Sequence, residues 1–194
     1  MEAEKALHTI LVEMTTGMLV LSTLAIFALT WQVCFSKRTT GKYLDALDGV
    51  ALFGASIGTV ALIFAIITGY RQWPVEALMN GTLAKNKIFT GYMALGFWGA
   101  FLTVRLSASK SLWNRKGLSI FSMFLGFAGF LYIVFTASIG GTLAGKPSGF
   151  EELARTIVET RETFVLPIGV NVMLILLGIA APLFVYFRFG KKKT

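Results

Sequence analysis

In 194 residues the chain has one cysteine, one histidine and four prolines, and only 14% of its residues are charged. Each shortage excludes something. Cys34 alone forms no internal disulfide, which excludes a disulfide scaffold and leaves the redox compartment open. His8 alone cannot supply the two imidazoles of a bis-histidine haem. Zinc and copper sites draw several His or Cys ligands, and His8 and Cys34 stand at opposite ends of one predicted span. No Ser-His-Asp set closes without moving His8, and no Gly-rich phosphate loop runs into Lys-Ser or Lys-Thr. The residues therefore predict no catalytic group, no metal ligand and no cofactor. Soluble domains carry roughly a quarter charged residues. A chain this poor in charge is neither a soluble enzyme nor a disordered tail.

What it has instead is long uncharged runs. Five of them, 14–36, 49–70, 88–104, 117–145 and 163–187, are 17 to 29 residues long. A bilayer core of about 30 Å needs roughly 20 apolar residues as helix. The runs lack the alternation of barrel strands. The sequence thus predicts an all-α, polytopic integral membrane protein, a single membrane domain over 1–194. About five transmembrane helices are expected, at about 7–35, 44–70, 88–105, 117–141 and 164–187. The third run is the shortest, and Lys85, Lys87 and Arg105 extend it with stems that can snorkel to the interface. The first run is too long for a signal-peptide core. Its leading segment holds Glu2, Glu4 and Lys5 without a basic excess, so it reads as a retained span.

The net charge of +8 is a topological signal, not a nucleic-acid one. Eleven of the 18 Lys and Arg lie in loop 36–46, loop 105–116 and the tail. The other seven lie on the opposite side. The positive-inside rule then puts the N-terminus outside and the C-terminus in the cytoplasm of a cell-membrane protein.

Within the spans the polar positions are few. His8 and Glu13 lie near the outer end of the first. Five residues apart, they point about 140° from one another around a helix, so one regular helix does not join them in one ligand. Glu13 is the only acid placed to be buried, and the middle of every span is free of charge, which argues against carriage of ions or protons. Met14 and Met18 share a face as ordinary apolar contacts. Asp45 and Asp48 open the second span, where acids favour the helix dipole. Gly54 and Gly58 form a small-xxx-small face for close helix contact. Asn80-Gly81 reads as a turn. In span four Gly126 and Gly129 alternate with Phe121, Phe124, Phe127 and Phe130, which is packing chemistry. Asn171 is expected to bond across to a neighbouring helix, and Pro182 to kink the fifth span. The run Lys191–Lys193 is a basic anchor.

Between spans four and five, Ser148 and Glu151 have capping-box spacing. Phe150, Leu153 and Ile157 then share one face, while Glu152, Arg155, Glu159 and Glu162 lie largely on the other. This predicts a short amphipathic helix at about 149–162 on the outer surface. Its acidic polar face favours a protein neighbour over anionic headgroups. The expected interaction residues are therefore Gly54, Gly58, Phe150, Leu153 and Ile157, with His8 and Glu13 as a candidate polar site.

Three stretches carry a resemblance. They are Leu7-His8-Thr9-Ile10-Leu11-Val12-Glu13, Gly54-Ala55-Ser56-Ile57-Gly58 through Thr68-Gly69-Tyr70-Arg71-Gln72-Trp73, and Ser138-Ile139-Gly140-Gly141-Thr142-Leu143. Together they resemble a family of small four-helix membrane proteins known as a domain of unknown function, with a His-Pro opening and a Gly-Gly after span four. The likeness covers about residues 7–147 and would make span five an addition. Thr9 stands where the family has Pro, and Glu13 and Pro147 stand where it has further histidines. Of those histidines only His8 carries over, so the resemblance implies no haem or metal role here. By general type the chain is also similar to the small extra helical subunits of archaeal ammonia-oxidising copper membrane monooxygenases.

Rich in packing signals and poor in chemical groups, the chain is expected to be a non-catalytic accessory subunit of a larger membrane complex. Other membrane subunits and lipids would be its partners, and nucleic acid would not. The alternative is a stand-alone redox or transport protein with a site shared between protomers around His8 and Glu13.

Overall fold

The computed structural model describes residues 2–36, 41–72 and 81–145, with Leu176, Ala180 and Leu183. Every regular element among them is helical. Helix α1 spans Glu2–Trp31 and ends in a π turn at Gln32–Ser36. Helix α2 spans Lys42–Gln72, α3 Thr82–Ala108 and α4 Lys116–Leu143. A 3-10 elbow, Ser109–Asn114, joins α3 to α4. The predicted surface helix, with Phe150, Leu153 and Ile157, and the predicted fifth span, with Asn171 and Pro182, lie outside the described residues apart from Leu176, Ala180 and Leu183.

Three helical segments are long and apolar enough to cross a membrane: Ala3–Ser36, Lys42–Gln72 and Lys116–Leu143. Their length and apolarity point to a membrane-embedded protein. Helix α3 falls short of that composition. Arg105 closes its uncharged run after 17 residues, and Trp, Tyr, Gly and Thr dilute the rest.

The helices pack as an antiparallel bundle, each in contact with the next and α4 closing against α1. Residue pairs fix the direction. Gly54 and Gly58 of α2 face Met18, Ser22 and Leu19 of α1, and Gly69 faces His8. Asp48 and Ile66 of α2 meet Arg105 and Gly91 of α3. Trp98 of α3 lies against Gly126 and Gly129 of α4. Thr30 and Phe27 of α1 meet Ser119 and Phe127 of α4.

The partition of residues follows from the solvent. Large side chains such as Leu24, Phe53, Phe64, Phe121, Phe124 and Phe127 are exposed. On a soluble protein that surface would aggregate; against lipid tails it has nothing to lose. The buried face of α2 is mostly small, with Ala51, Gly54, Ala55, Gly58, Ala61 and Ala65. Without a hydrophobic drive between helices in lipid, close backbone approach and dispersion hold them together. A Cβ at Gly54 would stand 2.8 Å from the Met18 carbonyl oxygen. The few bulky interior residues share one buried core: Trp98, Phe101, Leu19, Ile26 and Leu29 are all but sealed from the surroundings.

Hydroxyls inside the helices are mostly satisfied locally. Thr9, Thr16, Thr23, Thr68, Thr90, Thr103 and Thr142 each donate to the carbonyl four residues back. That disposes of a polar group without a neighbour. Helix ends follow the backbone. Gly145, at φ 72°, supplies the left-handed residue after α4, and its N–H bonds back to Thr142.

Trp98 and Gly129 give a test of the packing. A Cβ at Gly129 would stand 2.7 Å from Trp98 Nε1, whereas one at Gly17 meets nothing within 4 Å. Gly129→Ala is therefore expected to cost about 1–3 kcal/mol. Gly17→Ala should stay within about 0.5 kcal/mol of the parent. Unfolding by denaturing detergent in mixed micelles measures both.

Candidate functional site

The bundle has two polar ends. At one, Asp48 lies in the second turn of α2, three residues before Ala51 on the packed face, and is 5% exposed. Arg105, in the last turn of α3, donates to it twice, from Nε to Oδ1 at 2.7 Å and from Nη2 to Oδ2 at 2.5 Å. Trp113, on the 3-10 elbow, donates from Nε1 to Oδ1 at 2.7 Å. The elbow reaches this position because α3 ends at Ser109, whose φ of 52° turns the chain back over the bundle. Leu112 and Trp113 are thereby buried as a plug.

This arrangement corrects two expectations. Arg105 does not snorkel to the interface; it is as buried as its partner. The buried acid is Asp48, while Glu13 is exposed. The reason is pairing. An uncompensated charge in a low-dielectric interior is expensive, and Asp48 and Arg105 neutralise one another, whereas Glu13 has no such partner among the described residues. A signal existed in the sequence: Asp48 falls in line with Ala51, Ala55 and Gly58, the face that packs. Nothing local marks Trp113. By contrast, Asp45 and Lys110 form an exposed pair at 2.6 Å, of a kind that contributes about 0–1 kcal/mol.

At the other end, all four helices surround a cup of about 810 Å³. His8 and Glu13 both line it. The structure brings the two to one cavity despite their angular separation, because the cup is broad enough to take in both flanks of α1. They do not contact one another. The His8 ring is half-buried, with Nδ1 3.0 Å from Thr68 Oγ1. Thr68 Oγ1 also lies 2.8 Å from the Phe64 carbonyl oxygen, so this hydroxyl links the His8 ring to the backbone of α2. Gln72 Nε2 donates to the Glu4 carbonyl and ties the ends of α1 and α2. Lys87 also lines the cup, and its ammonium lies along Gly140. Sequence reading placed Lys87 at an interface and gave it no role. Deeper in, Thr136 donates to Thr90 at 2.8 Å, tying α4 to α3.

Among the described residues, no three His, Cys, Asp or Glu side chains gather as metal ligands would. Gly54 and Gly58 are engaged within the chain, against α1. Comparison with protein-family models, with curated proteins and with solved structures returns no match. The family resemblance therefore stands on the residues that carry it.

The ion pair sets a clear expectation. Asp48→Asn leaves the Arg105 charge buried without a counter-ion and should destabilise the bundle by about 3–5 kcal/mol. The double change Asp48→Leu with Arg105→Met should recover most of that loss. Lys110→Ala should cost less than about 1 kcal/mol. A double-mutant cycle on unfolding in mixed micelles measures the coupling.

Proposed function

We propose that the chain is a non-catalytic membrane subunit, a rigid helical post that braces the helices of a larger enzyme complex. The observation that carries this reading is the filled axis. Trp98 and Phe101 are fully buried across the middle of the bundle, with Leu19, Ile26 and Leu29 around them. A channel or carrier needs a path or a polar site at that depth, and large rings occupy it here. A brace needs rigidity, and close-packed rings over glycines provide it. The exposed phenylalanines of α4 are broad apolar contacts for lipid or for a neighbouring helix.

In this reading α3 crosses the membrane with the other three, its less apolar surface covered by the bundle. The run 163–187 adds a fifth crossing on the strength of its sequence. The basic end, with Lys42, Lys110, Arg115 and Lys116, faces the cytoplasm, and the His8 end faces out. A copper membrane monooxygenase of the archaeal ammonia-oxidising type is the named candidate host. It rests on likeness of general type alone.

A second reading has one observation in its favour: His8 and Glu13 open on the same cup. A stand-alone redox or transport protein with a site shared between protomers would use them together.

Solubilisation of native membranes in mild detergent, followed by native electrophoresis and mass spectrometry, separates the readings. The brace predicts co-migration at fixed stoichiometry with catalytic subunits. Migration only as a monomer or homo-oligomer would overturn it. Stoichiometric metal or haem on the chain purified alone would transfer the assignment to the second reading.

A further inference from the structure

The cup at the His8 end has the size and lining of a binding site. Its volume of about 810 Å³ falls within the range of roughly 300–1,000 Å³ typical of small-molecule pockets. Lys5 near its mouth and Thr16 in its depth are eleven residues apart on α1. At about 1.5 Å per residue that is a depth of ~17 Å, about half the apolar thickness of a bilayer. The deeper lining is largely apolar, with Leu62, Ile66 and Ile133 beside the hydroxyls of Thr15, Thr16 and Thr136, while Lys5 and Lys87 stand toward the mouth.

The two lysines carry the chemistry. Among the described residues, the only ion pairs join Arg105 to Asp48 and Lys110 to Asp45, and no described carboxylate lies within 4.0 Å of Lys5 or Lys87. The Lys87 ammonium is held against Gly140, where a Cβ would stand 3.1 Å from Nζ. A glycine there makes room for the cation inside the cup wall. Of the other titratable groups on the lining, Tyr70 and His8 carry no negative charge at neutral pH. Glu13 is exposed and lies eight residues, ~12 Å, along α1 from Lys5. The anion-attracting part of the cup is therefore the mouth between Lys5 and Lys87, above an apolar depth.

We propose that this cup binds an anionic phospholipid, with its phosphate at Lys87 and Lys5 and an acyl chain in the apolar depth. A largely apolar depth of about half the bilayer's apolar thickness beneath two cations that no described carboxylate pairs matches an amphiphile, and a soluble anion would leave that depth unfilled. The exposed Ile10 and Ile67 on α1 and α2 give the chain an apolar exterior continuous with the bilayer. This inference goes beyond the bracing role and holds whether or not a partner subunit is present.

The test uses the full chain in mild detergent, titrated with phosphatidylglycerol or with phosphatidylcholine of the same acyl chains and read by native mass spectrometry. The expected result is one phosphatidylglycerol per chain, preferred by about fivefold or more, the scale of a single lysine near a headgroup. Lys87→Gln should weaken the preference, and Lys5→Gln together with Lys87→Gln should abolish it, without changing the melting temperature. Ala137→Phe, which fills the cup, should abolish binding of both lipids. Equal binding of the two lipids by the parent chain would overturn the proposal. So would a preference that survives loss of both lysines. Displacement of the lipid by inorganic phosphate alone would overturn it in favour of a soluble anion. Should the filled variant not fold, the double lysine replacement decides.

Discussion

The buried pair of Asp48 and Arg105 is the constraint on which the rest of the bundle depends. Burying two charges costs several kcal/mol for each ion, and apolar residues could fill the space more cheaply. What the pair adds is register. A guanidinium that donates from Nε and Nη2 to the two oxygens of one carboxylate tolerates little sliding of α3 along α2. Trp113 binds the same carboxylate, so the elbow between α3 and α4 is fixed by the same atoms. One carboxylate thereby positions three segments.

That register explains contacts much farther along the bundle. Dispersion between helices in lipid is short-ranged and falls off within an ångström. Gly58 helps only if Leu19 arrives opposite it, and Gly129 only if Trp98 does. A shift of one helical residue would set rings against side chains and leave gaps over the glycines. The ion pair excludes such shifts at one end, and Gln72, bonded to the Glu4 carbonyl, ties α1 to α2 at the other. Between them the axis fills with rings, and the cup is left where the filling stops.

Much of this was legible in the sequence. The charge-free runs mark α1, α2 and α4, because in lipid the backbone must satisfy itself and a long apolar run has no alternative to helix. Gly54, Gly58, Gly126 and Gly129 read as contact positions and are contact positions. Less legible was α3, whose flanking Lys87 and Arg105 make it too polar to stand alone in lipid. The Asp48 node was missed because Asp48, beside Asp45, looks like a first-turn acid; only the long-range partner distinguishes them. The cup was half legible. His8 and Glu13 were singled out, yet Lys87 was assigned to the interface, since helix geometry alone cannot show a cavity formed by four elements.

A bundle locked at its basic end and closely packed around Trp98 and Phe101 suits the proposed bracing role, with the cup as its open end. The filled axis is the central claim, and thiol accessibility reads it directly. In a Cys34→Ser background, single cysteines at Ala94, Ala100 and Ala144 would be exposed to a membrane-impermeant maleimide from both sides of the bilayer. Ala94 and Ala100 are buried in the core around Trp98 and Phe101, and Ala144 is exposed beside the cup. The account predicts labelling at position 144 and none at 94 or 100. Labelling at 94 or 100 would mean an aqueous path through the bundle and would contradict it.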